Sequence, residues 1–187
     1  NSLEVFEIKR DESFGHGAPS RFIDTDKRFI VNSAGSHTSG YYVAAADIYI
    51  NSCNKNKETN LIPIYDVTGK NLGAKLFLKN NCLKLRCENS IGTQSEYGIM
   101  LMTMKQWYNI ALEVTPDLSL KIYIDGKAVL SDTDLFLYSN CSNALRMINI
   151  DTRNSELSLY IDNIMLYEDF LKERLDFEEN KITEDQV

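Results

Sequence analysis

Along most of the chain apolar and polar residues alternate with a period of two, the pattern of strands with one buried face. The clearest run is Trp107 to Thr115, where Tyr108, Ile110, Leu112 and Val114 share one face and Trp107, Asn109, Ala111 and Glu113 the other. Pro116-Asp117 then predicts a turn. Leu118, Leu120, Ile122 and Ile124 alternate against Ser119, Lys121 and Tyr123. Asp125-Gly126 follows as a hairpin signal, and Lys127 to Ser131 is the returning strand. Three strands joined by two tight turns make a β-meander.

Further strands are predicted at Leu3–Lys9, Lys27–Val31, Tyr41–Ile50, Asn60–Asp66, Leu72–Lys79, Leu83–Cys87, Ala144–Ile150 and Glu156–Leu166. In Tyr41–Ile50, Ala44, Ala46, Ile48 and Ile50 lie on one face; Val43, Ala45, Asp47 and Tyr49 lie on the other. In the last strand Leu157, Leu159 and Ile161 have one parity and Ile164 and Leu166 the opposite, which predicts a β-bulge near Asp162-Asn163. Short strands between Gly, Asn, Asp and Ser clusters predict an all-β, two-sheet antiparallel sandwich. A short amphipathic helical segment is expected only at Tyr167–Phe177.

A chain of 187 residues, 43% hydrophobic, suffices for one such domain with a full core but is short for two. Its net charge of −7 is uneven. From Glu168 to Val187 eight acidic residues face three basic ones, so this tail carries −5 and the body is near neutral. Residues 1–167 are therefore expected to form the sandwich, and 168–187 a linker or the start of an adjacent domain. With no basic stripe, nucleic acid is not an expected partner. With no apolar run of about 20 residues, neither is membrane insertion.

Cys53, Cys82, Cys87 and Cys141 allow two disulfides but contain no Cys-x-x-Cys spacing for zinc. Cys82 and Cys87, an odd number of residues apart on one strand, point to opposite faces and should not bond each other. The two histidines, His16 and His37, lie in Gly/Ser-rich sequence, and neither a nucleophile elbow nor a phosphate loop is present. No strand offers the two opposed carboxylates, about 5 to 10 Å apart, that glycosidases use. These absences lead to the expectation that the chain is not an enzyme.

Trp107-Tyr-Asn-Ile-Ala-Leu-Glu-Val, Leu120-Lys-Ile-Tyr-Ile-Asp-Gly-Lys-Ala-Val129 and Leu159-Tyr-Ile-Asp-Asn-Ile164 resemble the concanavalin A-like lectin/glucanase superfamily, as does Tyr42-Val-Ala-Ala-Ala-Asp-Ile-Tyr-Ile50. The likeness is to its laminin-G-like and bacterial carbohydrate-binding modules and covers about Leu3 to Tyr167. It implies a jelly roll with one concave sheet. It also implies a glycan-binding module of a larger secreted or cell-surface protein; a structural or adhesive protein-interaction domain is the alternative, and a divergent glycanase or lyase a third reading. Relatives often hold one structural calcium ion; the matching positions are Asp162, Glu4 and Glu7. The resemblance also implies that the first and last strands pair, which would bring Glu4 or Glu7 near Asp162 for calcium; alternatively, Asp162 caps its own bulge. The resemblance also puts Trp107 in a core-packing position, leaving the ligand face short of large aromatics.

Asp47, Tyr49, Asn109, Lys121, Tyr123 and Tyr160 form the candidate ligand patch if their strands share a sheet. Tyrosine faces suit sugar rings, and amides and carboxylates suit sugar hydroxyls. The same tyrosines also suit cross-strand pairs that stabilise a sheet.

Overall fold

The computed structural model describes residues 2–8, 13–14, 21–33, 41–53, 56–65, 71–89, 91–130, 137, 141, 147–153 and 156–169. Fourteen strands occupy most of them: β1 (Ser2–Ile8), β2 (Ser13–Phe14), β3 (Arg21–Ile23), β4 (Lys27–Ser33), β5 (Tyr41–Ser52), β6 (Thr59–Tyr65), β7 (Leu72–Lys79), β8 (Cys82–Glu88), β9 (Gln94–Leu101), β10 (Trp107–Val114), β11 (Leu120–Ile124), β12 (Lys127–Leu130), β13 (Met147–Asp151) and β14 (Ser158–Asp169). Among the described residues there is no α-helix, and none could cross a membrane as one.

One layer is a seven-stranded sheet in the order β12-β11-β10-β5-β14-β2, with β3 also on β14. Opposite lie the sheets β1-β4-β13 and β6-β7-β8-β9, with β13 running beside β6. The predicted alternation is what packs them: Ile48, Ile110, Leu112 and Ile122 of the first layer meet Leu61, Leu76, Leu85, Ile148 and Ile150 of the second in one buried cluster. Each such side chain contributes roughly 1.5–3 kcal/mol on burial. Ala46, Ile48, Leu61, Ile62, Ile110, Ile148 and Ile150 line a small apolar cavity between the layers.

The predicted meander forms with Asp125 and Gly126 at φ +51° and +77°, the left-handed pair that a two-residue hairpin turn requires. Asn80 and Asn81 make the same kind of turn between β7 and β8. The bulge in β14 also forms: its pairing with β5 shifts between Asp162 and Met165, and Asn163 takes φ +47°. Buried Thr152 pins the β3–β4 turn: its hydroxyl donates to the Asp24 carbonyl at 2.6 Å and accepts from the Lys27 N–H at 3.0 Å.

Four expectations need correction. First, β1 does not pair with the last strand. It lies parallel to β4, with Ser2 opposite Lys27 and Ile8 opposite Ser33. A parallel pair needs a long crossover, and here the connection passes through the other layer, where β2 and β3 pair with β14. Second, Tyr167–Asp169 continue β14 and are not helical, because they extend the ladder on Val43, Tyr42 and Tyr41 of β5. The strand ends at Asp169, and 170–187, with the rest of the expected helical segment and acidic tail, lie outside the described residues. Third, β9 is a strand that the sequence pattern did not predict. It is an edge strand on β8 whose side chains are mostly exposed, so burial imposes no alternation on it. Fourth, Trp107 is not in the core. It is 44% exposed, and its neighbour Tyr108 is buried, its hydroxyl accepting from the Thr103 N–H at 3.0 Å.

Cys82 and Cys87 are free thiols. On β8, Leu83 and Leu85 point inward and Lys84 and Arg86 outward, so Cys82 and Cys87 belong to opposite faces. Burial pushes the Cys87 thiol up to about 11.

Candidate functional site

The outer face of the seven-stranded sheet carries the candidate site. Phe22 of β3 is opposite Tyr160 of β14, Tyr160 is opposite Tyr49 of β5, and Tyr49 is opposite Trp107 of β10. Strand register therefore lines four aromatic side chains in one row across four adjacent strands. Ring centroids are 4.8 Å apart for Phe22–Tyr160, 5.7 Å for Tyr160–Tyr49 and 5.4 Å for Tyr49–Trp107. The middle pair meets edge to face at 81°, the favoured quadrupolar arrangement. Tyr49 and Tyr160 are half-buried by their neighbours, whereas the end members Phe22 (47%) and Trp107 (44%) stand exposed.

One row further along the strands the chemistry becomes polar. Asp47 lies opposite both Asn109 and Asp162. Its carboxylate accepts from the Asn109 side-chain amide at 2.9 Å and from the Asn163 amide at 2.7 Å. The bulge is what turns Asn163 toward Asp47, because an extra residue re-aims the side chains around it. Asp125, at the hairpin turn, accepts the Asn109 backbone N–H at 2.8 Å. On the other side of the aromatic row, the Asn51 amide donates to the Ser158 hydroxyl at 3.1 Å, and the Lys105 ammonium donates to the Asn51 oxygen.

The structure thus brings all six predicted patch residues onto one face but into one neighbourhood only in part. Tyr160, Tyr49, Asp47 and Asn109 form two consecutive rows. Tyr123 is opposite Ala111 and Lys121 is opposite Glu113, which lies about 20 Å along the strand from Trp107. Lys121 faces Glu113 across the ladder at 3.9 Å. Sequence reasoning missed Phe22, Asn163 and Trp107. Trp107 has the parity of Asn109 and could have been placed by alternation alone. Phe22 lies on a strand of only three residues, too short to show a period.

The pairing that would have carried Glu4 or Glu7 toward Asp162 is absent: β1 pairs with β4, whereas Asp162 is in the other layer. The Asp162 carboxylate accepts the Asn163 backbone N–H at 2.8 Å, as a bulge cap does. Among the described residues no three His, Cys, Asp or Glu side chains gather to hold a metal ion. His16 and His37 lie outside the described residues.

No protein-family model matches the sequence, and neither does any curated protein. Solved structures do match its fold. Alginate lyase A1-II', a member of polysaccharide lyase family 7, has 10% identity and a TM-score of 0.57, over 74% of this chain and 66% of that one. The ligand-binding domain of botulinum neurotoxin serotype D, solved with N-acetylneuraminic acid, has 16% identity and a TM-score of 0.59, over 86% and 43%. The binding domain of Paraclostridial Mosquitocidal Protein 1 has 17% identity and a TM-score of 0.54, over 86% and 45%. The chain spans about two thirds of the lyase structure and less than half of the two toxin structures.

At these identities the likeness establishes the fold, a jelly-roll sandwich, and does not single out the laminin-G-like branch. It also overturns the expectation that the chain is not an enzyme, because the same sandwich serves polysaccharide lyases, alginate lyases among them. The sequence argument looked for paired carboxylates and histidines. A general base or acid can equally be Tyr or Lys, so those absences do not exclude catalysis on this scaffold.

Proposed function

We propose that the outer face of the seven-stranded sheet binds a glycan chain. The observation that carries the reading is the row Phe22–Tyr160–Tyr49–Trp107 with its two ends exposed. Four aromatic side chains in line, with exposed apolar rings at both ends, offer stacking surface for sugar rings. Asp47, Asn109 and Asn163 beside them offer acceptors and donors for hydroxyls. A sheet stabilised only by cross-strand tyrosine pairs would not need the exposed Phe22 and Trp107 at the ends. The lyase structures and the sialic acid complex among its fold neighbours support a carbohydrate ligand. The reading fits a module of a secreted or cell-surface protein, with further domains in the same chain.

The test is a glycan array probed with the purified protein and with Trp107→Ala. Binding that disappears in the variant, with unchanged melting temperature, supports the reading. Binding indifferent to the substitution refutes it. Incubation with polyuronates, followed by ultraviolet absorbance of unsaturated products, reads whether the bound chain is also cleaved.

A further inference from the structure

We propose that the ligand is a neutral oligosaccharide lying across the strands, and not an acidic chain of the uronate or sialylated kind. This rests on the glycan-binding reading above and names the substrate class of the same face.

Charge around the aromatic row carries the first half. Among the described residues, the polar row on one side holds three carboxylates, Asp47, Asp125 and Asp162, together with the amides of Asn109 and Asn163. On the other side the described residues are Asn51, Ser158 and the cation Lys105, whose ammonium is engaged by Asn51. A carboxylate-bearing sugar laid on the row would meet three like charges and one opposite charge, in surroundings where water screens less than in bulk. Neutral hydroxyls meet no such penalty. A carboxylate has about four lone-pair sites, and the two that Asp47 gives to Asn109 and Asn163 leave others to accept sugar hydroxyls. Each of those amides has a second N–H, able to donate to a sugar oxygen.

Geometry carries the second half. The two exposed rings stand at opposite ends of the row, three strand spacings or about 14 Å apart. The half-buried tyrosines between them are turned against each other and present less free surface. A ligand that covers both Phe22 and Trp107 is longer than one sugar, so affinity should rise with chain length.

The experiment is calorimetric titration with neutral gluco-, xylo- and manno-oligosaccharides of increasing length, with oligouronates and with sialyllactose. At least one neutral series should bind tenfold or more tightly than any acidic ligand. Its affinity should climb with length to a plateau, and both Phe22→Ala and Trp107→Ala should abolish the climb. Asp125→Asn keeps an oxygen for the Asn109 N–H while removing a charge, and it should raise affinity for acidic ligands at low salt. If acidic oligosaccharides bind as tightly as neutral ones, and still depend on Trp107, the charge inference fails while the glycan reading stands. If neutral binding is strongest but independent of length and of Phe22, the extended placement fails. If neither class binds, or binding ignores Trp107→Ala, the glycan reading itself fails.

Discussion

Two outer faces of this sandwich each carry aromatic side chains, and they treat them in opposite ways. On the four-stranded sheet, Phe77 points away from the main core yet is fully buried. Lys75 Nζ and the Arg86 guanidinium carbon lie 5.0 and 4.7 Å from its ring centroid. Those cations are themselves neutralised. Glu58 holds Arg86 and Lys75, and Glu96 holds Arg86 and Lys84. On the seven-stranded sheet no described residue lids the ends of the aromatic row in this way: Phe22 and Trp107 are exposed, and the neighbouring polar groups bond one another beside the rings. An exposed aromatic is informative only against such an internal control. This chain has the means to cover an outer-face ring and uses them on one sheet, and the face proposed to bind a ligand is the one whose end rings are exposed.

Breaking the closed face should have the largest effect. Phe77→Ala removes a fully buried ring and should destabilise the fold by about 3 kcal/mol, the lower end for buried Phe truncation. Urea unfolding measures it, and glycan binding by the surviving folded fraction should not change. On the open face the effects reverse. Trp107→Ala should lower glycan affinity by roughly thirtyfold, about 2 kcal/mol, while shifting stability by less than 1 kcal/mol for a ring already half in water. A Trp107 variant that unfolds, or a Phe77 variant that loses only binding, would dissolve the contrast.

The interior can also be overfilled. Gly73 is buried on β7 where the pairing with β6 shifts register, and a Cβ placed on it would sit 2.5 Å from the sulfur of Cys141, a member of the core cluster. Real Cβ contacts are not that short, so Gly73→Ala must push the buried thiol aside. The expected cost is about 2 kcal/mol, within the range of overpacked sites. Pairing it with Cys141→Ala should recover part of the loss, and a double-mutant cycle on urea midpoints reads the coupling. Additive losses would mean that the two residues do not meet.

How far these faces were legible in the sequence follows from what makes a pattern periodic. Strands buried on one side, such as Trp107–Val114, announced themselves because burial selects every second residue. The bulge at Asp162-Asn163 was legible as a break in that same parity. Neither β9 nor β3 was, since an exposed edge and a three-residue strand impose no alternation. The site was half legible. Asp47, Tyr49, Asn109 and Tyr160 followed from parity, but Phe22 needed a pairing that only the folded register supplies. For Trp107 the alternation with buried Tyr108 points outward while the family resemblance points to the core, and the structure follows the alternation. The β1–β4 parallel pair was not legible at all, since parity says which face a residue takes and nothing about which strand lies beside it.

The smallest expected effect concerns the charges that close the four-stranded face. Bonds from Arg86, with further help from Lys75, hold the Glu58 carboxyl down at about 2 from an ordinary 4.5. A carboxylate whose folded value lies below its unfolded one adds stability above the unfolded value and loses it as pH falls toward the folded one. The window here is therefore from about pH 4.5 down to about 2, and stability should fall through it. Glu58 is partly exposed, so solvent screening keeps its contribution near 1 kcal/mol. Other carboxylates titrate in the same range, Glu96 and Asp151 among them, each also held low by an arginine. Acid unfolding of the wild type alone cannot isolate Glu58. Comparing wild type with Glu58→Gln at pH 6 and pH 3 does so, because terms common to both cancel. The wild type should be the more stable at pH 6, and the gap should narrow at pH 3. Removing the pair also uncovers Phe77, so part of the gap is lost packing and should persist at both pH values. A gap wholly independent of pH would mean that Glu58 acts only as a spacer over the ring. One that closes fully would mean that the lid on Phe77 is held by charge alone.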